Sequence, residues 1–197
     1  MSICIAYIIS QVSQSNVFEW TISRLDKKKY RLIFILMHEK STPFEEHLRQ
    51  EGFAVYRIFY KNKYDLIPGV FKTRKILRSE KVQIVHTHLF EAGLSGMLAA
   101  KLAGVPKRIH PRHDATIHHQ YHPHAVKYDK LTNRLATHLI AVTKNVKSIL
   151  SGMENVPPEK ITSIHHGFKL DDFSSVIKER TGALTHTYFP AKPPFPV

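Results

Sequence analysis

Cysteine is all but missing from this sequence: Cys4 stands alone, inside the first apolar run. An intrachain disulfide and a cysteine-based zinc knuckle are therefore excluded, and a reducing, cytoplasmic setting is expected. Long hydrophobic runs are missing too. The opening residues 1–9 lack a basic n-region and a small-residue cleavage site and are far too short to span a bilayer, so they read as a first strand. There is no G-x-G-x-x-G dinucleotide fingerprint, and no serine or cysteine sits in a nucleophile elbow, so hydrolase chemistry finds no support. Acidic residues are scarce beside basic ones, 16 against 29, for a formal charge of +13. Such a surface attracts polyanions: nucleic acid, anionic lipid headgroups or phosphorylated small molecules. Charge alone does not choose among them.

What is present points to one good-sized core. The 197 residues are 43% hydrophobic and 23% charged, close to globular averages. Apolar runs of strand length recur at 2–9, 30–38, 53–59, 82–86, 107–110, 138–142 and 160–164, with helical stretches between them. That alternation predicts an α/β fold, a doubly wound, mostly parallel sheet of Rossmann-like type. The punctuation agrees. Thr42-Pro43-Phe44-Glu45 combines an N-cap threonine, proline at the first helical position and glutamate in the capping-box position, so a helix should begin there. The alanine- and leucine-rich stretch 91–103 should be a helix ending at Gly104-Val105-Pro106, and 144–153 another. After Asp171-Asp172-Phe173 the tail changes character, with Pro190, Pro193, Pro194 and Pro196 among its last residues. Residues 1–173 are thus expected to form the domain and 174–197 a linker.

In a doubly wound sheet, ligand-binding residues lie just past the carboxyl ends of the strands. The first strand is followed by a glycine-free polar stretch that ends in Ser15 and Asn16. Their hydroxyl and amide beside a helix N-terminus could hold an anion or sugar hydroxyls, and N-capping by Ser15 is the alternative. The helix beyond should carry Val17, Trp20 and Leu25 on its apolar side. The fourth strand ends in His86-Thr87-His88, where alternation sends both imidazoles to one side. The fifth leads into Arg112-His113-Asp114: a fixed cation, a titratable ring and a carboxylate able to orient it. Salt bridging by Arg112 and Asp114 is the structural alternative. Six histidines fall between His110 and His124, yet no His-Glu-x-x-His spacing occurs, and a flexible loop lining the crevice is expected rather than a metal site.

Lys61, Lys63, Lys72, Arg74, Lys75, Arg78 and Lys81 surround a segment whose Ile67, Val70, Phe71, Ile76 and Leu77 could form an apolar helix face. Such a helix could lie on an anionic membrane, or could simply pack on the sheet. A basic, non-catalytic binding module, either a partner subunit or a nucleic-acid binder, is the rival reading of the whole chain. It rests on charge, since aromatics are not interleaved with Lys and Arg in a recognisable motif.

The stretch Ala136-Thr137-His138-Leu139-Ile140-Ala141-Val142-Thr143-Lys144, continuing through Pro158-Glu159-Lys160-Ile161 to His166-Gly167-Phe168-Lys169-Leu170-Asp171-Asp172-Phe173, resembles the passage that leads family-4 GT-B glycosyltransferases into their second domain. Ile84-Val85-His86-Thr87-His88 with Gly93 and Gly104-Val105-Pro106 resembles the family's fourth strand and following helix. The resemblance covers nearly the whole chain. It implies the N-terminal half of a GT-B fold, in a retaining transferase that moves sugar from a nucleotide-sugar to a saccharide or lipid-linked acceptor. It implies no metal or other cofactor; the lone cysteine sets the expected work in the cytoplasm, and the basic helix makes peripheral docking at the inner face of the membrane one of its two readings. It places a catalytic histidine at His113, with Arg112, Asp114, His88 and Thr143 as substrate neighbours. Two departures stand out: Ser13-Gln14-Ser15-Asn16 replaces the family's Gly-Gly loop, and His166 replaces asparagine before Gly167. The donor domain is expected to be absent from these residues, which alone should not transfer sugar.

Overall fold

The computed structural model describes residues 2–13, 16–165 and 167. Seven strands are present among them: β1 (Ile3–Ser10), β2 (Tyr30–Met37), β3 (Ala54–Ile58), β4 (Ile84–His88), β5 (Lys107–Arg112), β6 (His138–Ala141) and β7 (Ile161–Ser163). All pair in parallel, in the order β3-β2-β1-β4-β5-β6-β7. Each of the seven apolar runs has become a strand. The helices between them are α1 (Asn16–Ser23), α2 (Pro43–Gln50), α3 (Leu66–Ser79), α4 (Phe90–Ala103), α5 (Ile117–Tyr121), α6 (Val126–Leu135) and α7 (Lys144–Gly152).

The sheet is wound on both faces. On one, Phe18 and Ile22 of α1 with Phe44 and Leu48 of α2 pack against Ile9, Leu32, Phe34 and Leu36. On the other, α3, α4 and α7 bring Val70, Leu77, Met97, Ala100, Val146 and Leu150 onto Ile8, Ile33, Ile35, Val85 and Leu139. Strand order reverses between β1 and β4, because connections leave β1 leftward and later return to its right. A right-handed crossover then leaves a crevice beyond the ends of those two strands.

Local chemistry explains the helix ends. Thr42 Oγ1 accepts from the Glu45 N–H at 3.2 Å, and Pro43 takes the first helical position. The Glu45 carboxylate turns to Arg49 and Arg57 (2.9 and 3.7 Å). Gly104 closes α4 at φ +80°, a left-handed cap that favours glycine. Within α4, a Cβ at Gly96 would stand 2.8 Å from Thr87 Cγ2, and one at Gly93 2.7 Å from the His110 ring. These glycines let the helix lie directly on β4 and β5.

Two expected apolar faces are corrected. In α1 the buried residues are Phe18 and Ile22, one turn apart, where Phe18 meets the rings of Tyr7 and Phe44; Val17 faces outward, while Leu25, just past the helix, packs against the same cluster as expected. In α3 the inward row is Val70, Thr73 and Leu77, whereas Ile67 and Phe71 are 56% and 58% exposed. The loop expected after β5 contains the short helix α5. Residues up to His165 form one compact unit, and the expected linker at 174–197 lies outside the described residues.

Candidate active site

The ends of β4 and β5 carry the chemistry. His86 and His88 point to the α1 face, and Thr87, fully buried, points to the α4 face. His86 lies against Tyr7 (ring centroids 5.0 Å) and His88 (4.5 Å), while His88 meets Phe18 edge-on at 4.7 Å. His113, exposed just past β5, stands 6.3 Å from His88, ring to ring. The two strand ends thus bring His88 and His113 together although 25 positions separate them in sequence.

Burial keeps the deeper imidazoles neutral. The His86 pKa is lowered to about 4, first by burial and then by the nearby His113. That of His110 falls to about 3, mainly through burial, with Arg112 adding repulsion; its Nδ1 lies 2.8 Å from Thr87 Oγ1. An unfolded chain protonates both rings below about pH 6.5 while the native fold resists. Stability is therefore expected to be flat above that pH and to fall as pH drops from about 6.5 toward 4 and 3. Each of these histidines should remove roughly 1.4 kcal/mol per pH unit within its window. Urea unfolding at pH 7 and pH 5 checks this, and equal midpoints at the two would contradict it.

The backbone between β4 and α4 is strained. Leu89 adopts φ 70° and ψ 172°, a region otherwise almost reserved for glycine. Such a conformation costs about 1–3 kcal/mol and persists where the surroundings dictate it, commonly at ligand sites. Leu89, Phe90, His110, Pro111, Arg112, His113, Asp114, His118 and Asp129 line one small, open pocket of about 70 Å³. At the neighbouring strand reversal, Glu91 in the first turn of α4 accepts from Ser10 Oγ (3.1 Å) and Gln11 Nε2 (3.0 Å). The Ser10 hydroxyl in turn accepts from the Ala92 N–H of α4 at 3.4 Å, so the protein's own side chains occupy the helix N-terminus where another fold would hold an anion.

The residues singled out from sequence fall in different places. His113 and Asp114 are exposed on the pocket rim. Arg112, only 7% exposed, is committed to structure: its Nη1 and Nη2 each donate to the Glu154 carboxylate at 3.0 Å, and Nη2 lies 3.8 Å from Asp129. Its ion-pair partner is Glu154 and not Asp114: Arg112 is the last residue of β5 and turns inward to the buried carboxylates of Glu154 and Asp129, whereas Asp114 lies past the strand end and is exposed. Thr143 is the N-cap of α7, its Oγ1 accepting from the Val146 N–H at 3.1 Å. Asn16 opens α1; Ser15 lies outside the described residues, as does the passage 168–173. Among the described residues, no group of three or more His, Cys, Asp or Glu side chains is placed to hold a metal ion.

Sequence reasoning missed Asp129, Glu154 and the distinct role of His118. His118 Nδ1 lies 2.6 Å from Asp129 Oδ2, and His119 Nε2 lies 3.1 Å from Glu154 Oε1. The one available signal was a pair of carboxylates in otherwise basic stretches, and nothing local links them to a loop 11 and 35 residues away.

Comparison with known proteins places this geometry. A similar solved structure is the Anabaena protein HepE in complex with UDP, 17% identical, TM-score 0.66, covering 93% of this chain and 50% of that one. Another is UDP-N-acetylglucosamine 2-epimerase from Rickettsia bellii, 16% identical, TM-score 0.67, covering 92% and 52%. At such identities the likeness concerns the fold. A curated relative, the Escherichia coli UDP-Gal:alpha-D-GlcNAc-diphosphoundecaprenol alpha-1,3-galactosyltransferase, is 32% identical over 109 residues, which are 53% of this chain and 28% of the relative. The chain thus spans about half the length of the similar structures and little over a quarter of that relative.

The parallel sheet with its pocket past β4 and β5 is the N-terminal half of a GT-B glycosyltransferase fold. Residues 16–172 match the profile of Glycosyltransferase Family 4, and the chain belongs to that family.

Proposed function

We propose that this chain is the acceptor-side half of a retaining transferase that moves a sugar from a nucleotide-sugar to a saccharide or lipid-linked acceptor. The observation that carries the reading is the strained pocket past β4 and β5, with His113 and Asp114 on its rim. Family membership and the diphosphate-lipid substrate in the relative's name support it. In such a transfer the acceptor oxygen forms its bond to the anomeric carbon on the face from which the nucleotide departs, and the departing phosphate takes the acceptor's proton. The protein positions the reactants and stabilises developing charge, so the reading calls for no protein nucleophile, metal or other cofactor. His113 contacts the transferred sugar near its reacting carbon, Asp114 and His88 flank it, Asn16 at the start of α1 and Thr143 after β6 are further substrate contacts, and Ser15, outside the described residues, is read as one more. Arg112 acts through the pocket wall.

The test is direct. The full reading frame that carries this chain, given UDP-sugars and a diphosphate-lipid acceptor, should form a glycosidic product with the donor's anomeric configuration, and residues 1–197 alone should not. Inverted product, or none from any UDP-sugar, would count against the proposal.

The second half of the reading concerns where the acceptor is met. Tyr64, Ile67 and Phe71 follow at helical spacing and are 77%, 56% and 58% exposed. Lys61, Lys63, Lys72 and Lys75 stand around them. Apolar groups ringed by cations suit the interface of an anionic bilayer. No helix among the described residues is long and apolar enough to cross a membrane, so docking at the cytoplasmic face is proposed as peripheral. Flotation with phosphatidylglycerol vesicles should capture the protein at low salt and release it at high salt. Ile67→Ser with Phe71→Ser should lower capture several-fold, and unchanged capture would remove this helix from the reading.

A further inference from the structure

The short helix α5 is an unusual element to find ordered. It is five residues long, none of them buried, and Thr116 makes no side-chain cap bond at its start. A single turn of this kind has no stability of its own. Two imidazole–carboxylate contacts hold it: His118 to Asp129 of α6, and His119 to Glu154 beyond α7. Phe90 adds an edge-on ring contact to His118 at 4.7 Å. Both carboxylates are buried and anchored in turn by Arg112, with Asn133 also donating to Glu154. The strand-5 exit and the helix after it are thereby locked together as one wall of the pocket that His113 and Asp114 rim.

That arrangement fixes the chemistry of His118. A carboxylate only accepts hydrogen bonds, so the proton on Nδ1 points at Asp129 and, in the neutral ring, Nε2 is left as an acceptor. His118 lines the pocket, and Nε2 makes no hydrogen bond to any described residue. An acceptor held by a buried second carboxylate is suited to a hydroxyl donor. It is poorly suited to a phosphate, which offers lone pairs of its own.

We propose that His118, oriented by Asp129, accepts a hydrogen bond from a hydroxyl of the hexose on the nucleotide-sugar, and that it contributes to the choice of sugar. The proposal rests on the transferase reading above and adds a second imidazole beside His113.

Asparagine separates this contact from a purely structural role. Its amide can reproduce the Nδ1–H bond to Asp129 but does not reach the position of Nε2. In the full-length protein, UDP and UDP-hexoses (glucose and galactose) are titrated against wild type and His118→Asn, with melting temperature as a fold check. The wild type should bind one UDP-hexose at least tenfold more tightly than UDP. His118→Asn should lose that difference while keeping its affinity for UDP and its melting temperature. A His118→Asn protein that retains the wild-type difference overturns the proposal and leaves the transferase reading intact. Wild type that binds neither UDP nor a UDP-hexose overturns both, and wild type that gains nothing from the hexose overturns the His118 contact alone. If His118→Asn melts lower, Asp129→Asn decides: its amide oxygen still accepts the Nδ1–H, and it should retain the hexose preference that His118→Asn lacks. Loss of that preference in both variants to the same extent as the fold assigns His118 to structure.

Discussion

Replacing His113 with alanine in the full-length transferase is expected to lower kcat by about a hundredfold or more with little change in melting temperature. The side chain is exposed at the end of β5, so truncation opens no cavity in either core cluster. What it removes is a polar group held at the pocket rim by the strand end, 6.3 Å from the His88 ring. Loss of one pre-positioned hydrogen-bonding group at a centre of developing charge commonly costs about 10²–10³ in kcat. The KM for donor should move less than kcat, because the contact matters most as the sugar–phosphate bond breaks. Steady-state kinetics beside a thermal melt separates the two effects. Equal turnover by His113→Ala and wild type would withdraw the assignment.

Glu154→Ala should have the largest effect on stability. Glu154 is wholly buried as a side chain and receives both guanidinium nitrogens of Arg112, the His119 ring and the Asn133 amide. Removing it leaves Arg112 buried with only a 3.8 Å contact to Asp129, and strands two further donors. Breaking a buried pair from one side costs about 3–5 kcal/mol. For a unit of this size that corresponds to a fall of roughly 10 °C in melting temperature. The double variant Arg112→Met, Glu154→Met should lose less than the two single losses added, since neither member of the pair is left buried without the other. Additive losses would mean that the pair is not coupled. The same network holds α5, so Glu154→Ala should also weaken binding of UDP-hexose, linking a stability defect to the site.

This pair also revises how Arg112-His113-Asp114 is understood. Read as a triplet, it offers a cation, a ring and an orienting carboxylate side by side. In the fold, Arg112 at the end of β5 turns inward to Glu154, whereas His113, just past the strand, is exposed on the pocket rim. The orienting carboxylate with a direct contact is Asp129, and the ring it orients is His118. Of the candidate residues, His113 and Asp114 are placed together on the rim, His88 stands beside them across the strand ends, and Thr143 is occupied as a helix cap.

The sequence by itself determined the strands, their order of appearance and the helix punctuation. Each depends on neighbours within a few positions: the apolar run 30–38, the threonine-proline start at Thr42, the glycine stop at Gly104. It also carried enough of the family's pattern between 136 and 161 to imply the half-GT-B fold. Only the tertiary structure decided which face of α1 and α3 is buried, because both helices have more apolar residues than one face accommodates, and the sheet's rings and methyls select among them. Likewise only packing could join Arg112 to Glu154 across 42 positions and His118 to Asp129 across 11. Burial makes those charges seek partners, and the crossovers that bring α5, α6 and the end of α7 together decide which partners are within reach.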